Sequence, residues 1–163
     1  MKIYTRSGDN METDVLGGRV RKDHEIIECL GTIDELSSSL MMAFHNISLN
    51  QVKNDVLMIV QDLRSLAVSI MDKKSHDISL DTVIKYEKTI DIYEKVLKPI
   101  TGFILPGETL AGSYLHFSRT IARRLERLIV KYSRKNKINN YALQYINRMS
   151  DLLFVMARFV EEK

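Results

Sequence analysis

The sequence predicts an all-α fold, an up-and-down five-helix bundle entered through an extended N-terminal segment. Three observations predict it. Apolar residues recur three and four apart in five separate stretches after residue 23, which puts them on one face of a helix. No stretch alternates apolar and polar residues as a half-buried strand does. The two prolines, Pro99 and Pro106, bracket one connection, where a helix has to stop.

The first 23 residues stand apart. They hold three of the seven glycines, Gly8, Gly17 and Gly18, with Thr5, Arg6, Ser7, Asp9, Asn10, Thr13 and the basic set Arg19, Arg21 and Lys22. Glycine lets backbone amides approach a ligand, and hydroxyls with Lys or Arg add donors for phosphate. Neither GxxxxGK[ST] nor GxGxxG is present, and the same composition also suits a loosely held or strand-like tail.

The helices follow in order. Asp23 is placed to cap the first, whose seam runs Ile26, Ile27, Leu30, Ile33, Leu36, Leu40, Met41, Phe44. The second follows Asn50, with Val52, Val56, Ile59, Val60, Leu63, Leu66, Ala67, Ile70. Residues 72–77 are polar and read as a loop. Ser79 caps the third, with Leu80, Val83, Ile84, Ile90, Tyr93, Leu97. The fourth follows the apolar turn Phe103-Ile104-Leu105-Pro106-Gly107, with Leu110, Ala111, Tyr114, Leu115, Ile121, Ala122, Leu125, Leu128, Ile129. Asn139 or Asn140 opens the fifth, which runs from Tyr141 to Val160 in the same spacing.

Composition bounds the function. A chain of 163 residues with 45% apolar content is expected to form one domain with a sizeable core. The net charge of +3, with basic and acidic residues interleaved, gives no footprint for nucleic acid. Cys29 is the only cysteine, so no internal disulfide or thiolate metal cluster can form; its place on an apolar seam makes it core. No apolar run approaches ~18 residues and no signal h-region opens the chain, which predicts a soluble cytoplasmic protein without a membrane partner.

The fourth helix carries the charge pattern with most chemistry in it. At about 100° per residue, Arg119, Arg123 and Glu126 share one flank, and Arg124, Arg127 and Lys131 share another. Two guanidinium forks one turn apart can grip a polyanion; a solvated flank laced with ion pairs has the same spacing. Asp34 sits beside the first seam and needs a partner if buried, which an arginine of the fourth helix could supply. Asn147, at the edge of the fifth seam, could bond a ligand or a neighbouring backbone. His24, His45, His76 and His116 lack metal-ligand spacing, and His116 is expected to be exposed or subunit-facing.

Five segments, in order, resemble the ATP:cob(I)alamin adenosyltransferase family of the propanediol-utilisation type. Tyr4-Thr5-Arg6-Ser7-Gly8-Asp9 is similar to its T-[KR]-[TS]-G-D loop, continued by Thr13, Gly17-Gly18 and Lys22-Asp23. Glu28 with Gly31-Thr32-Ile33-Asp34-Glu35-Leu36 resembles E-x-x-G-T-[VI]-D-E-L. Phe103 to Gly107 resembles F-[IV]-L-P-G, and Leu115-His116 through Arg119, Arg123-Arg124 and Glu126-Arg127 resembles L-H-x-x-R-x-x-x-R-R-x-E-R. Tyr145 to Phe154 resembles Y-[LI]-N-R-[LM]-S-D-L-L-F.

The resemblance implies a homotrimer of five-helix bundles that moves the 5′-deoxyadenosyl group of ATP to Co(I) of a reduced corrinoid, giving adenosylcobalamin and triphosphate. It implies one domain over 1–163, with 1–23 as ATP-binding segment and 24–161 as bundle. Thr5, Arg6, Ser7, Gly8, Asp9, Thr13 and Lys22 would surround the triphosphate. Magnesium would be held mainly through ATP phosphates rather than by protein side chains. Arg123, Glu126, Arg127 and Asn147 would complete the nucleotide site from another subunit. Asp34 and Arg119 would pair between subunits to position the corrinoid, and Phe103 would lie under the corrin and displace its lower ligand. A reductase and a B12-dependent enzyme are the further partners implied. A non-catalytic member that binds ATP or corrinoid for delivery or sensing is the alternative. The chain departs from the pattern at Met11 and Glu12, at Ser37, at Arg64 and at Glu108.

Overall fold

Five helices carry the fold in the computed structural model, which describes residues 2–4, 6–72, 74–75 and 77–163. They are α1 (Glu25–Asn46), α2 (Asn50–Met71), α3 (Leu80–Glu94), α4 (Leu110–Ser133) and α5 (Asn140–Glu161). Thr5 and His76 lie outside the described residues.

The direction of each helix is written in its contacts. Between α2 and α3, Tyr86 Oη donates to Asp62 (2.9 Å) and Tyr93 Oη to Asp55 (2.6 Å), so the two run antiparallel. Ser39 meets Ser118 at 2.9 Å and Glu25 faces Lys131 and Lys135, which makes α1 and α4 antiparallel. The Asn147–Glu126 and His116–Glu161 contacts do the same for α4 and α5. Tyr86 stacks edge-on against Tyr145 and Tyr93 against Phe159, so α3 and α5 run parallel. That set of directions is the up-and-down order.

One continuous apolar cluster fills the interior, with Leu36, Leu40, Leu63, Leu66, Leu115, Leu125, Leu152 and Leu153 fully buried. Some polar groups inside it are matched, while the buried Ser69 hydroxyl has no hydrogen-bond partner among the described residues. The Tyr86 hydroxyl lies 3.2 Å from that of Tyr145. Burial holds both phenols well above their usual range, with Asp62 adding to it. Met149 and Met156 fill core positions.

Several expectations change at the helix ends. The first cap is His24, whose Nδ1 accepts from the Ile26 amide at 3.2 Å; Asp23 is instead turned to Arg21 at 3.1 Å. Ser79 caps α3 in a reciprocal box with Thr82, and Thr109 and Asn139 cap α4 and α5. Leu80 and Leu110, read as seam residues, sit in their first turns and are exposed; Leu97 lies beyond the end of α3. The N-terminal segment contains strands after all. β1 (Glu12–Val15) and β2 (Gly18–Arg21) pair antiparallel around a turn at Leu16-Gly17. The pattern is legible only in part, because just Thr13, Val15 and Val20 are half-buried.

Cys29 is fully buried, and burial with Glu25 and Glu28 nearby raises its thiol to about 11. A thiol reagent at pH 8 is therefore expected to label almost none of the folded protein and one thiol per chain after denaturation. Rapid native labelling would show that α1 does not hold this core.

Candidate active site

Helix α4 divides its cations as the spacing predicts. On one side Arg124 pairs with Glu35, and Lys131 lies 3.6 Å from Glu25, both on α1. On the other side Arg119 and Arg123 open onto a groove of about 550 Å³ between α3 and α5. Glu87, Asp91, Arg148, Asp151 and Phe154 also line it. Among the described residues neither Arg119 nor Arg123 has an ion pair.

Arg119 is the more constrained. Its guanidinium stands 5.8 Å from the centre of the Phe154 ring, and its buried Nε has no hydrogen-bond partner. Burial, and then the Arg123 cation, pull it below its usual pKa, but it stays charged. Arg123 is exposed, and its carbonyl accepts from Arg127 Nη1 at 2.9 Å. Next along, Asn147 donates to Glu126 at 3.2 Å and accepts from Arg148. Arg148 also reaches Asp151 (3.2 Å) and Glu87 (3.6 Å). Arg148 and Phe154 were not singled out from sequence, although both stand in the matched Tyr145–Phe154 segment, Arg148 directly after Asn147 and Phe154 about two turns on.

The N-terminal loop is held by its own ion pairs. Arg19 bonds Glu12 (3.1 Å), Asp14 (3.2 Å) and the Ser7 carbonyl. Lys22 N–H donates to the Met11 carbonyl at 2.8 Å and closes the hairpin base. The Lys22 ammonium folds over Gly8, where an added Cβ would sit 3.2 Å from Nζ. Asp9 N–H donates to the Arg6 carbonyl, the Arg6 guanidinium lies 5.6 Å from the Tyr4 ring, and Thr13 is half-buried on β1. Met11 takes φ +61, a left-handed conformation that glycine adopts without cost.

Asp34 is exposed on α1 and does not meet Arg119 within the chain. Phe103 is 94% exposed in the loop between α3 and α4. His116 differs from its expected place: it is buried, 3.6 Å from Glu161 and edge-on to Phe154. Burial lowers its pKa, Glu161 opposes that and Arg119 adds to it.

The fold and this site define an all-helical bundle with an arginine-lined groove and a separate glycine-bearing hairpin. The description "Cobalamin adenosyltransferase" matches residues 3–160, and the chain belongs to that family. It is 35% identical to the corrinoid adenosyltransferase of Bacillus subtilis (strain 168), over 100% of this chain and 88% of that one. It is 32% identical to the human corrinoid adenosyltransferase MMAB, over 99% and 70%. A solved phenylalanine-to-alanine variant of a PduO-type ATP:corrinoid adenosyltransferase from Lactobacillus reuteri, complexed with cobalamin and ATP, superposes with TM-score 0.90 at 32% identity, covering 99% and 94%. An arginine-to-lysine variant from the same organism, complexed with ATP, matches with the same TM-score and identity, covering 98% and 94%.

Proposed function

We propose that this chain transfers the 5′-deoxyadenosyl group of ATP to Co(I) of a reduced corrinoid, forming adenosylcobalamin and releasing triphosphate. One observation carries the reading. Arg119 and Arg123 stand one turn apart without carboxylate partners among the described residues, in a chain of the cobalamin adenosyltransferase family. Co(I) forms its bond to C5′ as the C5′–O bond breaks, and the electron pair of that bond leaves with triphosphate. The corrinoid supplies the nucleophile; the protein supplies placement and charge.

Arg6, Ser7, Gly8, Asp9, Thr13, Lys22 and Thr5 are the proposed triphosphate contacts. Lys22 already lies over the Gly8 backbone, where it would meet phosphate oxygens. Arg123 and Arg127 would stabilise the charge building on the leaving group, and the Glu126–Asn147 pair would hold the nucleoside. Magnesium would be carried by the phosphates themselves.

The reading requires more than one subunit, and we infer a homotrimer. Asp34 is exposed on α1 while Arg119 faces the α3/α5 groove, so their ion pair would form across an interface. Phe103, exposed and without lone pairs, would fill the lower face of the corrin and keep cobalt four-coordinate, which eases reduction of Co(II). Residues 1–163 would work as one domain in the cytoplasm, fed by a reductase and followed by a B12-dependent enzyme.

Purified protein with MgATP and chemically reduced cobalamin is expected to form adenosylcobalamin, read by absorbance. Folded protein that binds ATP but releases no triphosphate would refute catalysis and favour a delivery or sensing role. Arg123→Ala is expected to raise the ATP KM or lower kcat/KM by roughly 10- to 100-fold, the scale of one charge-assisted contact. Unchanged kinetics would move the nucleotide elsewhere. Phe103→Ala is expected to impair turnover from Co(II) far more than from preformed Co(I); equal losses would remove Phe103 from the lower face.

A further inference from the structure

The loop that carries Phe103 is tied down by the last turn of α5. At its start, Lys98 N–H donates to Glu162 at 3.3 Å, and the Lys98 carbonyl accepts from Arg158 at 2.6 Å. Arg158 and Glu162 pair with each other at 3.1 Å. At its end, one oxygen of Glu161 accepts both the Gly107 and the Glu108 amides, at 3.0 and 3.2 Å. Among the described residues, no hydrogen bond holds the stretch between Pro99 and Pro106.

The Glu161 anchor is built into the fold. Its side chain is only 5% exposed. Its second oxygen faces His116 at 3.6 Å. Gly112 makes the space, since a Cβ there would lie 2.3 Å from the carboxylate. Gly107 turns with φ +104 to aim its amide inward. Behind the loop a cavity of about 300 Å³ is lined by Ile100, Phe103, Ile104, His116, Arg119 and Phe154. Phe103 and Arg119 both line this cavity.

We propose that Glu161 is a positioning residue for the corrinoid: it fixes the Gly107–Glu108 flank of the Phe103 loop while Arg158 and Glu162 fix the Lys98 flank, and its loss weakens corrinoid handling without touching ATP. The proposal rests on the adenosyltransferase reading above. A loop free to shift by an ångström loses the alignment of its ring, and misplacement on that scale costs on the order of 100-fold in favourable cases.

The test compares wild type, Glu161→Ala and Glu161→Gln. The amide of Gln keeps an oxygen for the two backbone donors, so it serves as the conservative rescue. Hydrogen exchange at the Gly107 and Glu108 amides is expected to speed up by about tenfold or more in the Ala variant and little in the Gln variant. With Co(II) cobalamin and a chemical reductant, the Ala variant is expected to lose roughly tenfold in kcat/KM for corrinoid while its ATP KM stays within about twofold. Gln is expected to restore most of that loss. Unchanged exchange in the Ala variant would refute the anchor. Faster exchange with unchanged corrinoid kinetics, or equal losses toward ATP and corrinoid, would refute the positioning role. A wild-type protein that exchanges as expected but makes no adenosylcobalamin would overturn the reaction, and the positioning role with it, while leaving the anchor standing.

Discussion

A guanidinium never gives up its proton in a protein, so a helix bearing four of them can turn only part of its surface inward. Helix α4 meets that constraint with Leu115, Ile121, Ala122, Leu125 and Ile129 against α1 and α5, and with arginines on both borders of the stripe. On the α1 border the charges are answered by Glu25 and Glu35. On the α5 border, among the described residues, they are not. Arg119 and Arg123 face the groove without an ion pair among the described residues, although Glu87, Asp91 and Asp151 line it too. The proposed triphosphate would supply the anion that neither arginine contacts within the chain.

The bundle was legible because its helices are long and amphipathic; a 22-residue helix repeats its apolar spacing about six times, enough to outweigh local exceptions. The errors fall where the period has least to say. Asp23 lost the cap to His24 because Arg21 bonds the carboxylate and draws it away. His116, opposite Leu125 on a helical wheel, is buried because the first half of α4 is covered on that side by the end of α5 and its loop. Periodicity measured from one seam cannot register a second neighbour. The same limit applies to the site. Arg119 and Arg123 share a helix and could be paired by counting, whereas Arg148, Phe154 and Glu161 join them only through the antiparallel register of α4 and α5.

The N-terminal loop shows how departures from a family pattern can be absorbed. Glu12 places a carboxylate where phosphate is proposed to bind, yet Arg19 clamps it together with Asp14. Met11 accepts φ +61, a conformation that disfavours side chains by about 1 kcal/mol or more. Its carbonyl receives the Lys22 amide, and that bond at the hairpin base helps hold the backbone there.

These internal pairs also decide which cation is left for a ligand. Arg19 serves Glu12 and Asp14, and Arg21 serves Asp23. Of the three basic residues in the hairpin, Lys22 alone is without an ion pair among the described residues, and it is the one that reaches back over Gly8. An ammonium is a point charge with rotatable donors, suited to following phosphate oxygens as they move; the arginine fork is suited to fixing them. A loop contributing Lys22 and a groove contributing Arg123 would therefore divide the work on one triphosphate, the first admitting it and the second holding its leaving oxygens.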